Sequence, residues 1–226
     1  MPGTPPIHPL KDVWLKPRRV FRELGSLPVG ITDYVLAAAQ GVATYMAVYR
    51  TQFAGTHATA AEVLQRSLSL GPIVGVLSLY LFAAIYGRLG TRAGGTSKRN
   101  QVFHVLAYGG IPVAASLVLW AFTALLIGEA AIIDVPGIAA PGAAIAGADT
   151  DGFVGFVQHL EFAVYLLLLL WSVVLQVMGL SEIQGLTTRR AFGVWVLGQL
   201  LALLAALFVS ILIAILFPGI VLNAPH

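Results

Sequence analysis

The chain of 226 residues has no cysteine and few charged side chains, and each shortage excludes a class of protein. Without cysteine it can form no disulfide, bind no metal through a thiolate and use no cysteine nucleophile. Only 10% of its residues are charged, whereas soluble domains average about 25%. The net charge of +3 is too small to indicate a nucleic-acid partner. The stretch MPGTPPIHPLKDVWLKPRRV has no short apolar run ending in small residues, so no cleavable signal peptide is expected.

Apolar side chains are what the sequence has in excess. Hydrophobic residues make up 58% of the chain, against roughly 45–50% in soluble domains, and the mean hydropathy is +0.87. A single soluble core of this size cannot bury so many apolar side chains, so a bilayer is the expected solvent. A helix needs roughly 20 apolar residues to cross a hydrocarbon core about 30 Å thick. The sequence therefore predicts an all-α polytopic membrane helix bundle. Its five predicted transmembrane helices are residues 28–49, 70–86, 102–127, 153–180 and 191–217.

The distribution of basic residues predicts the orientation of these spans. Eleven lysines and arginines lie on one side of the predicted membrane, in the amino-terminal segment and in the second and fourth loops, and two lie on the other side. Because short basic loops stay in the cytoplasm, we expect a cytoplasmic amino terminus and an external carboxyl terminus. Residues 1–27 are the predicted cytoplasmic segment, residues 28–226 the five-helix domain, and residues 128–152 an external loop rich in Ala, Gly and Pro.

A short basic helix is predicted before the first span, in the stretch KPRRVFREL at 16–24. Its apolar residues fall on one side and its arginines mostly elsewhere; the apolar residues are Val20, Phe21 and Leu24. Such a helix either lies on the anionic cytoplasmic leaflet or is an ordinary flank that helps to orient the first span.

The loop GRLGTRAGGTSKRN at 87–100 combines glycines, hydroxyls and basic residues, as phosphate-binding loops do. A Walker A loop, however, places its lysine directly after its last glycine, between a strand and a helix. Here Lys98 follows Thr96 and Ser97, and the preceding LYLFAAIYG is typical of a membrane helix. A nucleotide site is therefore not expected, and the loop is interpreted as a cytoplasmic connector.

In the external loop, DTDG at 149–152 resembles part of a calcium-binding loop but lacks the further oxygen ligands at the required spacing. A solvated loop is therefore expected there in preference to a calcium site.

Ionisable groups within membrane spans are often functional, because hydrocarbon makes them costly. Thr32 or Asp33, early in the first span, is interpreted as a helix cap, and for Asp33 this is preferred to a role as ion or proton carrier. His104 is expected at headgroup depth. His159 and Glu161, near the outer edge of the fourth span, point to different sides of a helix, which favours isolated interfacial groups over a metal pair.

Three glutamines lie deeper in the predicted spans, namely Gln40, Gln176 and Gln199. Their amides favour hydrogen bonds between helices over a transport path. The scattered Ser, His and Asp residues have no nucleophile-elbow sequence to organise them, so a catalytic interpretation has little support.

Small residues recur every fourth position in two spans. Gly71 and Gly75 open the second span, whose first turn is expected to hold the proline after Gly71. Gly198, Ala202 and Ala206 follow one side of the fifth. Such stripes let helix backbones approach closely, and packing within the chain is favoured over oligomerisation.

Several stretches together resemble a known family. KPRRVFREL is similar to the family's proline-plus-aromatic helix before the first span. LYLFAAIYGRLGTRAGGTSKRNQVFHVLAYGGIPVAA is similar to its glycine-rich basic loop and the aromatic-glycine and proline that follow, here Tyr108, Gly109 and Pro112. WSVVLQVMGLSEIQGLTTRRAFGVWVLGQLL is similar to its fourth-to-fifth span turn with a basic-Ala pair, here Arg190 and Ala191. The chain thus resembles the Yip (Ypt-interacting protein) domain family in its prokaryotic form.

The resemblance implies five spans, a cytoplasmic amino terminus and a role as membrane organiser or adaptor, without catalytic residues. Eukaryotic members act in vesicle trafficking through protein partners. In SLGP at 69–72, however, the aspartate and tyrosine of their Asp-Leu-Tyr-Gly-Pro motif are missing. Binding of Rab GTPases is therefore not carried over to this chain.

The leading hypothesis is a non-enzymatic multi-pass protein of the prokaryotic cytoplasmic (inner) membrane. It is expected to act as an adaptor, organiser or accessory subunit of a larger complex, bound to membrane proteins or lipids. A homo-oligomer is one option, and no nucleic acid, metal or cofactor is expected. The predicted contact surface consists of cytoplasmic basic residues: Arg18, Arg19, Arg22, Arg88, Arg92, Lys98, Arg99, Arg189 and Arg190.

The alternative is a transporter or channel for a small solute, ion or lipid. It predicts a water-accessible cavity near the midplane, lined by members of the intramembrane polar set: Asp33, Gln40, Glu161, Gln176 and Gln199. An intramembrane enzyme is a third class, and it requires at least two catalytic groups within hydrogen-bond reach.

Overall fold

The computed structural model describes residues 8–53, 59–96, 99–133 and 152–216. Over these residues the chain is helical apart from turns and short connections, and no strand occurs among them. The helices in this part of the chain are α1 (Pro9–Asp12), α2 (Pro17–Leu24), α3 (Ile31–Phe53), α4 (Ala60–Arg92), α5 (Arg99–Gly109), α6 (Ile111–Ile127), α7 (Ala130–Ile133), α8 (Gly152–Gln184) and α9 (Thr188–Leu216). Lys98, DTDG up to Asp151, and most of the predicted external loop lie outside the described residues.

Within the described residues, four helical stretches are long and apolar enough to cross a membrane, and they are Ala60–Arg92, Arg99–Ile127, Gly152–Gln184 and Thr188–Phe208. The predicted all-α integral membrane protein is confirmed at this level. Helix α3 is not among the four, although it has 23 residues. Its sequence ITDYVLAAAQGVATYMAVYRTQF intersperses charged, amide and tyrosine side chains with the apolar ones, which lowers its hydropathy.

Helix α4 begins ten residues before the predicted start of the second span. Thr59 is its N-cap and forms a capping box with Glu62: the Glu62 N–H donates to Thr59 Oγ1 at 3.3 Å, and the Thr59 N–H donates to Glu62 Oε2 at 3.2 Å. These bonds satisfy backbone donors at the helix start. Pro72 therefore lies inside the helix, so its predicted place in the first turn is wrong.

The third predicted span is two helices, α5 and α6, separated at Gly110. Side chains from two other helices donate to carbonyl groups next to this break. Gln40 Nε2 of α3 donates to the Ala107 carbonyl at 2.7 Å, and the Ser172 hydroxyl of α8 donates to the Gly109 carbonyl at 2.9 Å. A Cβ on Gly110 would overlap the Gln40 side-chain oxygen, so only glycine leaves room for the amide there.

Glycines bring α3 and α4 into direct backbone contact. A Cβ built on Gly71 would lie 2.6 Å from the Val42 Cα of α3, and one on Gly75 would lie 2.6 Å from the Gly41 Cα. The stripe in α4 thus packs within the chain, as predicted. In α9, Gly198 faces the ring of Tyr86 of α4, and a side chain at 198 would overlap that ring.

Helix α2 packs against the end of the bundle that is predicted to face the cytoplasm. Its apolar residues Val20, Phe21 and Leu24 are buried, and Phe21 lies against Gly179 of α8. Outside this contact, Arg22 Nη2 lies 2.8 Å from Glu182 Oε1. Because protein covers the apolar face, that face is not available to insert into the leaflet.

Candidate functional site

The first buried polar pair joins the start of α3 to α5. Asp33 Oδ1 lies 2.6 Å from His104 Nδ1, and His104 Nε2 lies 3.0 Å from the Leu27 carbonyl oxygen. Asp33 Oδ2 accepts the Gly30 N–H at 2.8 Å, as the third residue of a capping box does. The predicted cap at Asp33 is therefore present, and His104 is buried beside it.

Every polar side-chain atom of this pair has a partner. Nε2–H of His104 donates to Leu27, so a single proton between Nδ1 and Oδ1 satisfies both side chains, whichever atom holds it. The backbone of the segment 25–30 is tied to the same place, because Gln101 Nε2 of α5 donates to the Gly25 carbonyl at 2.9 Å. The pair therefore holds the chain that enters α3 against α5.

The second buried pair lies at the other end of α3. Arg50 Nη1 lies 2.9 Å from Glu161 Oε1 of α8, and the two side chains are 6% and 5% exposed. The Arg50 guanidinium also lies 5.4 Å from the ring centroid of Trp120, whose ring contacts Tyr165. Within the described part of the chain, Glu161 Oε2 has no hydrogen-bond partner.

The interpretation of Glu161 as an isolated interfacial group is wrong, because a carboxylate buried this deeply needs an opposite charge. The pairing of Arg50 with Glu161 was not predicted from the sequence. A signal was present, since Arg50 directly follows the predicted first span and Glu161 was placed near the same outer edge. His159, by contrast, is exposed, with Nδ1 2.7 Å from the Gly155 carbonyl oxygen.

The three glutamines of the predicted polar set line one cavity of about 250 Å³ between α3, α4, α5, α8 and α9. Gln40, Gln176 and Gln199 reach it from α3, α8 and α9, and Asp33 and Glu161 do not line it. The remaining polar lining residues are Thr44, Ser78 and Tyr86. The cavity is thus neutral, and the two acidic members of the set belong to the ion pairs.

Hydrogen bonds hold the amides of this cavity in place. Trp195 Nε1–H donates to Gln176 Oε1 at 2.9 Å, and Gln176 Nε2 donates to Ser172 Oγ at 3.3 Å. The Tyr86 hydroxyl is buried and lies beside Gln199 without a hydrogen bond of normal geometry. A buried hydroxyl without a partner is uncommon, and a polar cavity next to it can hold water or a ligand that supplies one.

Apart from Lys98, which lies outside the described residues, the basic residues predicted as a contact surface lie in α2, at the end of α4 and at the starts of α5 and α9. Those at the ends of α4, α5 and α9 are exposed, namely Arg88, Arg92, Arg99, Arg189 and Arg190. The Arg99 guanidinium lies 6.0 Å from the ring centroid of Tyr80. The three arginines of α2 already have partners within the chain. Arg18 donates a hydrogen bond to Thr188, Arg19 forms a salt bridge with Glu23, and Arg22 forms a salt bridge with Glu182.

The glycine-rich loop after α4 packs against the end of α8. Gln184 is buried there, its Nε2 donates to the Tyr86 carbonyl at 3.1 Å, and its own carbonyl accepts the Thr96 N–H at 3.3 Å. Gly94 turns the chain with a φ of +93°, which favours glycine. This segment follows a helix rather than a strand, which agrees with its interpretation as a connector.

Among the described residues, no three His, Asp or Glu side chains are placed to hold a metal ion. The sequence profile of the Yip1 domain matches residues 11–211, nearly the whole chain. No curated protein and no solved structure matches the chain.

Proposed function

The chain belongs to the Yip1 domain family, and from that premise we propose that it is a non-enzymatic membrane adaptor or accessory subunit that binds other membrane proteins at its basic end. The family is not known for enzymatic activity. The observation that carries the proposal is the contrast between two sets of arginines. Those of α2 are engaged within the chain, whereas Arg88, Arg92, Arg189 and Arg190 are exposed and, among the described residues, form no salt bridge.

A packed framework supports this basic end. Gln184 and the loop before α5 join the ends of α4 and α8, and Arg18 Nη2 of α2 donates to Thr188 Oγ1 at the start of α9. The exposed arginines therefore project from positioned helix ends. A preorganised charged surface binds a partner with less loss of side-chain freedom than a flexible tail.

The partner can be identified by purification from the native membrane in mild detergent, followed by mass spectrometry. We expect a reproducible membrane-protein partner, and we expect Arg88→Gln/Arg189→Gln to reduce its recovery by about tenfold, because each exposed charge contributes to recognition. Arg66→Gln, at the opposite end of α4, is the control and should leave recovery unchanged. Equal recovery with the double variant, or no partner with the unaltered chain, would reject the adaptor function.

Helix α3 is proposed as a fifth span, with the amino terminus in the cytoplasm. At 1.5 Å per residue its 23 residues extend about 35 Å, enough to cross a hydrocarbon core of about 30 Å. Its charged side chains are turned into the protein, while Ile31, Val35 and Val48 are exposed. The excess of basic residues on one side supports the orientation.

The absence of cysteine makes this topology testable with single substitutions. Ser26→Cys and Ala61→Cys place exposed thiols before and after α3. In intact cells a membrane-impermeant maleimide should label position 61 and label position 26 only after lysis. Labelling of both positions from the same side would show that α3 does not span.

Transport of a small neutral solute is a second candidate function, favoured by the glutamine-lined cavity and by the buried Tyr86 hydroxyl, which has no hydrogen bond of normal geometry among the described residues. It requires that water reaches the cavity. A small hydrophilic thiol reagent should then modify Ser78→Cys in the cavity but not Leu77→Cys, which is exposed on the apolar surface of α4. Failure to modify position 78 from either side would remove this candidate.

A further inference from the structure

Two arginines and an apolar floor form a groove between α4 and α9. The groove has a volume of about 450 Å³ and is lined by Leu89, Arg92, Ala93, Arg190, Gly193, Val194 and Leu197. Arg92 is the last residue of α4, and Arg190 lies in the first turn of α9. Both helices belong to the stretches that are able to cross a membrane, and both arginines are at helix ends, so we expect them where a span meets the headgroup layer.

The charges in the groove are of one sign. No carboxylate lines it, and among the described residues neither arginine forms a salt bridge. Two guanidinium groups present several N–H donors to a phosphate, and arginine matches phosphate oxygens in a bidentate way. The start of α9 adds the positive end of a helix dipole, which favours the same sign of ligand.

The floor of the groove is suited to hydrocarbon. Leu89, Val194 and Leu197 lie farther along their helices toward the centre of the predicted spans than the arginines do, and Ala93 and Gly193 complete the lining. Leu197 is 47% exposed in the isolated chain, so this part is open to the surface that faces lipid. Basic pockets between membrane helices are suited to anionic headgroups.

We propose that this groove binds an anionic phospholipid, with its phosphate between Arg92 and Arg190 and an acyl chain along the apolar floor beside Gly193. The inference goes beyond the proposed adaptor function and requires no protein partner. A free phosphate would contact only the arginines and would leave the apolar floor of the groove unoccupied by the ligand. The amphipathic lining therefore favours a lipid over a soluble anion.

Gly193 permits a test of the groove that leaves the charges in place. Gly193 lines the groove, and a Cβ built on it has no other atom within 4 Å, so there is open space at the point where a larger side chain would begin. Leucine also favours the helix more than glycine does, so Gly193→Leu is expected to fold. Gly87→Leu in α4 is the matched control, because Gly87 has equally open surroundings and lies outside the groove.

The experiment uses the purified full chain in nanodiscs of phosphatidylcholine that contain a minority of phosphatidylglycerol. Native mass spectrometry then measures which lipid stays bound. We expect the unaltered chain to retain phosphatidylglycerol in preference to phosphatidylcholine. Retention should fall by about tenfold or more in Arg92→Gln/Arg190→Gln, because the charge-assisted contacts to the phosphate are lost, and by a similar factor in Gly193→Leu, because the site for the acyl chain is filled. Arg88→Gln/Arg189→Gln removes the same charge at the same end and should retain the lipid, as should Gly87→Leu.

Four results would overturn the proposal. They are equal retention of the two lipids, an equal loss in both arginine pairs, retention in Gly193→Leu, and displacement of the lipid by inorganic phosphate. If instead lipid-free protein is a dimer that Gly193→Leu dissociates, the groove is an interface between copies of the chain. The nanodisc experiment contains no protein partner, so its result is independent of the adaptor experiment. Failure to find a partner with retention of the lipid would reject only the adaptor function, and a partner without lipid retention would reject only the lipid site.

Discussion

The two ends of α3 stabilise buried ionisable groups in different ways. At its start, Asp33 and His104 form a network in which each polar side-chain atom has a partner, two of them backbone groups close to Asp33 in the chain. At its other end, Arg50 and Glu161 come from distant parts of the sequence and meet beside the ring of Trp120. Both pairs join distant helices, but the pair at Asp33 is also bonded to the nearby backbone of Gly30 and Leu27, whereas the pair at Arg50 depends on α3 and α8 being packed together.

This difference separates two structural roles. The network at Asp33 fixes the entry of the chain into α3, so its loss should loosen a local segment. The pair at Arg50 compensates two charges that were removed from water, so loss of either partner leaves an isolated charge inside the bundle. Between the two, Gln40 and the glycines of α3 and α4 make contacts without ionisable groups.

The largest effect is expected from removing one member of the Arg50–Glu161 pair. Glu161→Leu should lower the free energy of unfolding by about 3–5 kcal/mol, because Arg50 would remain buried without its carboxylate. Arg50→Met should have a similar cost. Unfolding of the purified protein in mixed detergent micelles, followed by circular dichroism, measures both.

The double variant Arg50→Met/Glu161→Leu tests the cause. Apolar residues of similar volume in both positions should recover most of the lost stability, since replacing a whole buried ion pair is often close to neutral. If the two single effects add in the double variant, the side chains do not compensate each other and the comparison of the two ends fails.

The next largest effect is expected in the middle of α3, at its contact with α4. Gly75→Ala should lower the free energy of unfolding by about 1–3 kcal/mol, because the new Cβ lies 2.6 Å from the Gly41 Cα and backbone must move. Gly87→Ala is the control in the same helix and should be neutral or slightly stabilising. Equal behaviour of the two variants in the same unfolding assay would show that α3 and α4 are not in close contact.

The sequence predicted those parts of the fold that depend on composition and local chemistry. Apolar runs located the four stretches that can span, and Asp33 acts as a cap as predicted. The start of α4 was missed, although the pattern Thr-x-x-Glu at Thr59 and Glu62 is a capping-box signal. The break at Gly110 was also missed, because a glycine followed by Pro112 is compatible with either a continuous or an interrupted helix.

Long-range pairing could not be predicted from single positions. Glu161 appeared isolated because its partner, Arg50, is 111 residues away, with two predicted spans between Arg50 and the span that holds Glu161. The three deep glutamines were predicted to join helices, and Gln40 and Gln176 do form hydrogen bonds, but their shared cavity depends on how five helices pack. The α2 contact was missed for the same reason, since the pattern of Phe21 and its neighbours is equally suited to lipid or to protein.

A smaller effect is expected at the start of α3. Asp33→Asn should lower the free energy of unfolding by about 1–2 kcal/mol, less than Glu161→Leu, because an amide oxygen can still accept the Gly30 N–H or a proton from His104. Hydrogen exchange should increase in residues 25–33 more than in α8. A cost as large as that of Glu161→Leu, or increased exchange in α8 alone, would contradict the local role of this pair.

The smallest effect is expected for the exposed pairs outside the bundle. Arg19 and Glu23 are one helical turn apart in α2, and their side chains are 34% and 43% exposed. Solvent screens such a pair, so Arg19→Gln should change the free energy of unfolding by no more than about 0.5 kcal/mol. Arg22→Gln should have a somewhat larger effect, because Glu182 is only 15% exposed and joins α2 to α8, although Arg22 itself is 73% exposed.

Added salt should weaken the contribution of both exposed pairs and leave that of Arg50 and Glu161 nearly unchanged, because buried charges are screened much less. The same unfolding assay at low and high salt therefore ranks the ion pairs by burial, and an Arg50–Glu161 coupling as salt-sensitive as that of Arg22 and Glu182 would show that water reaches the outer end of α3.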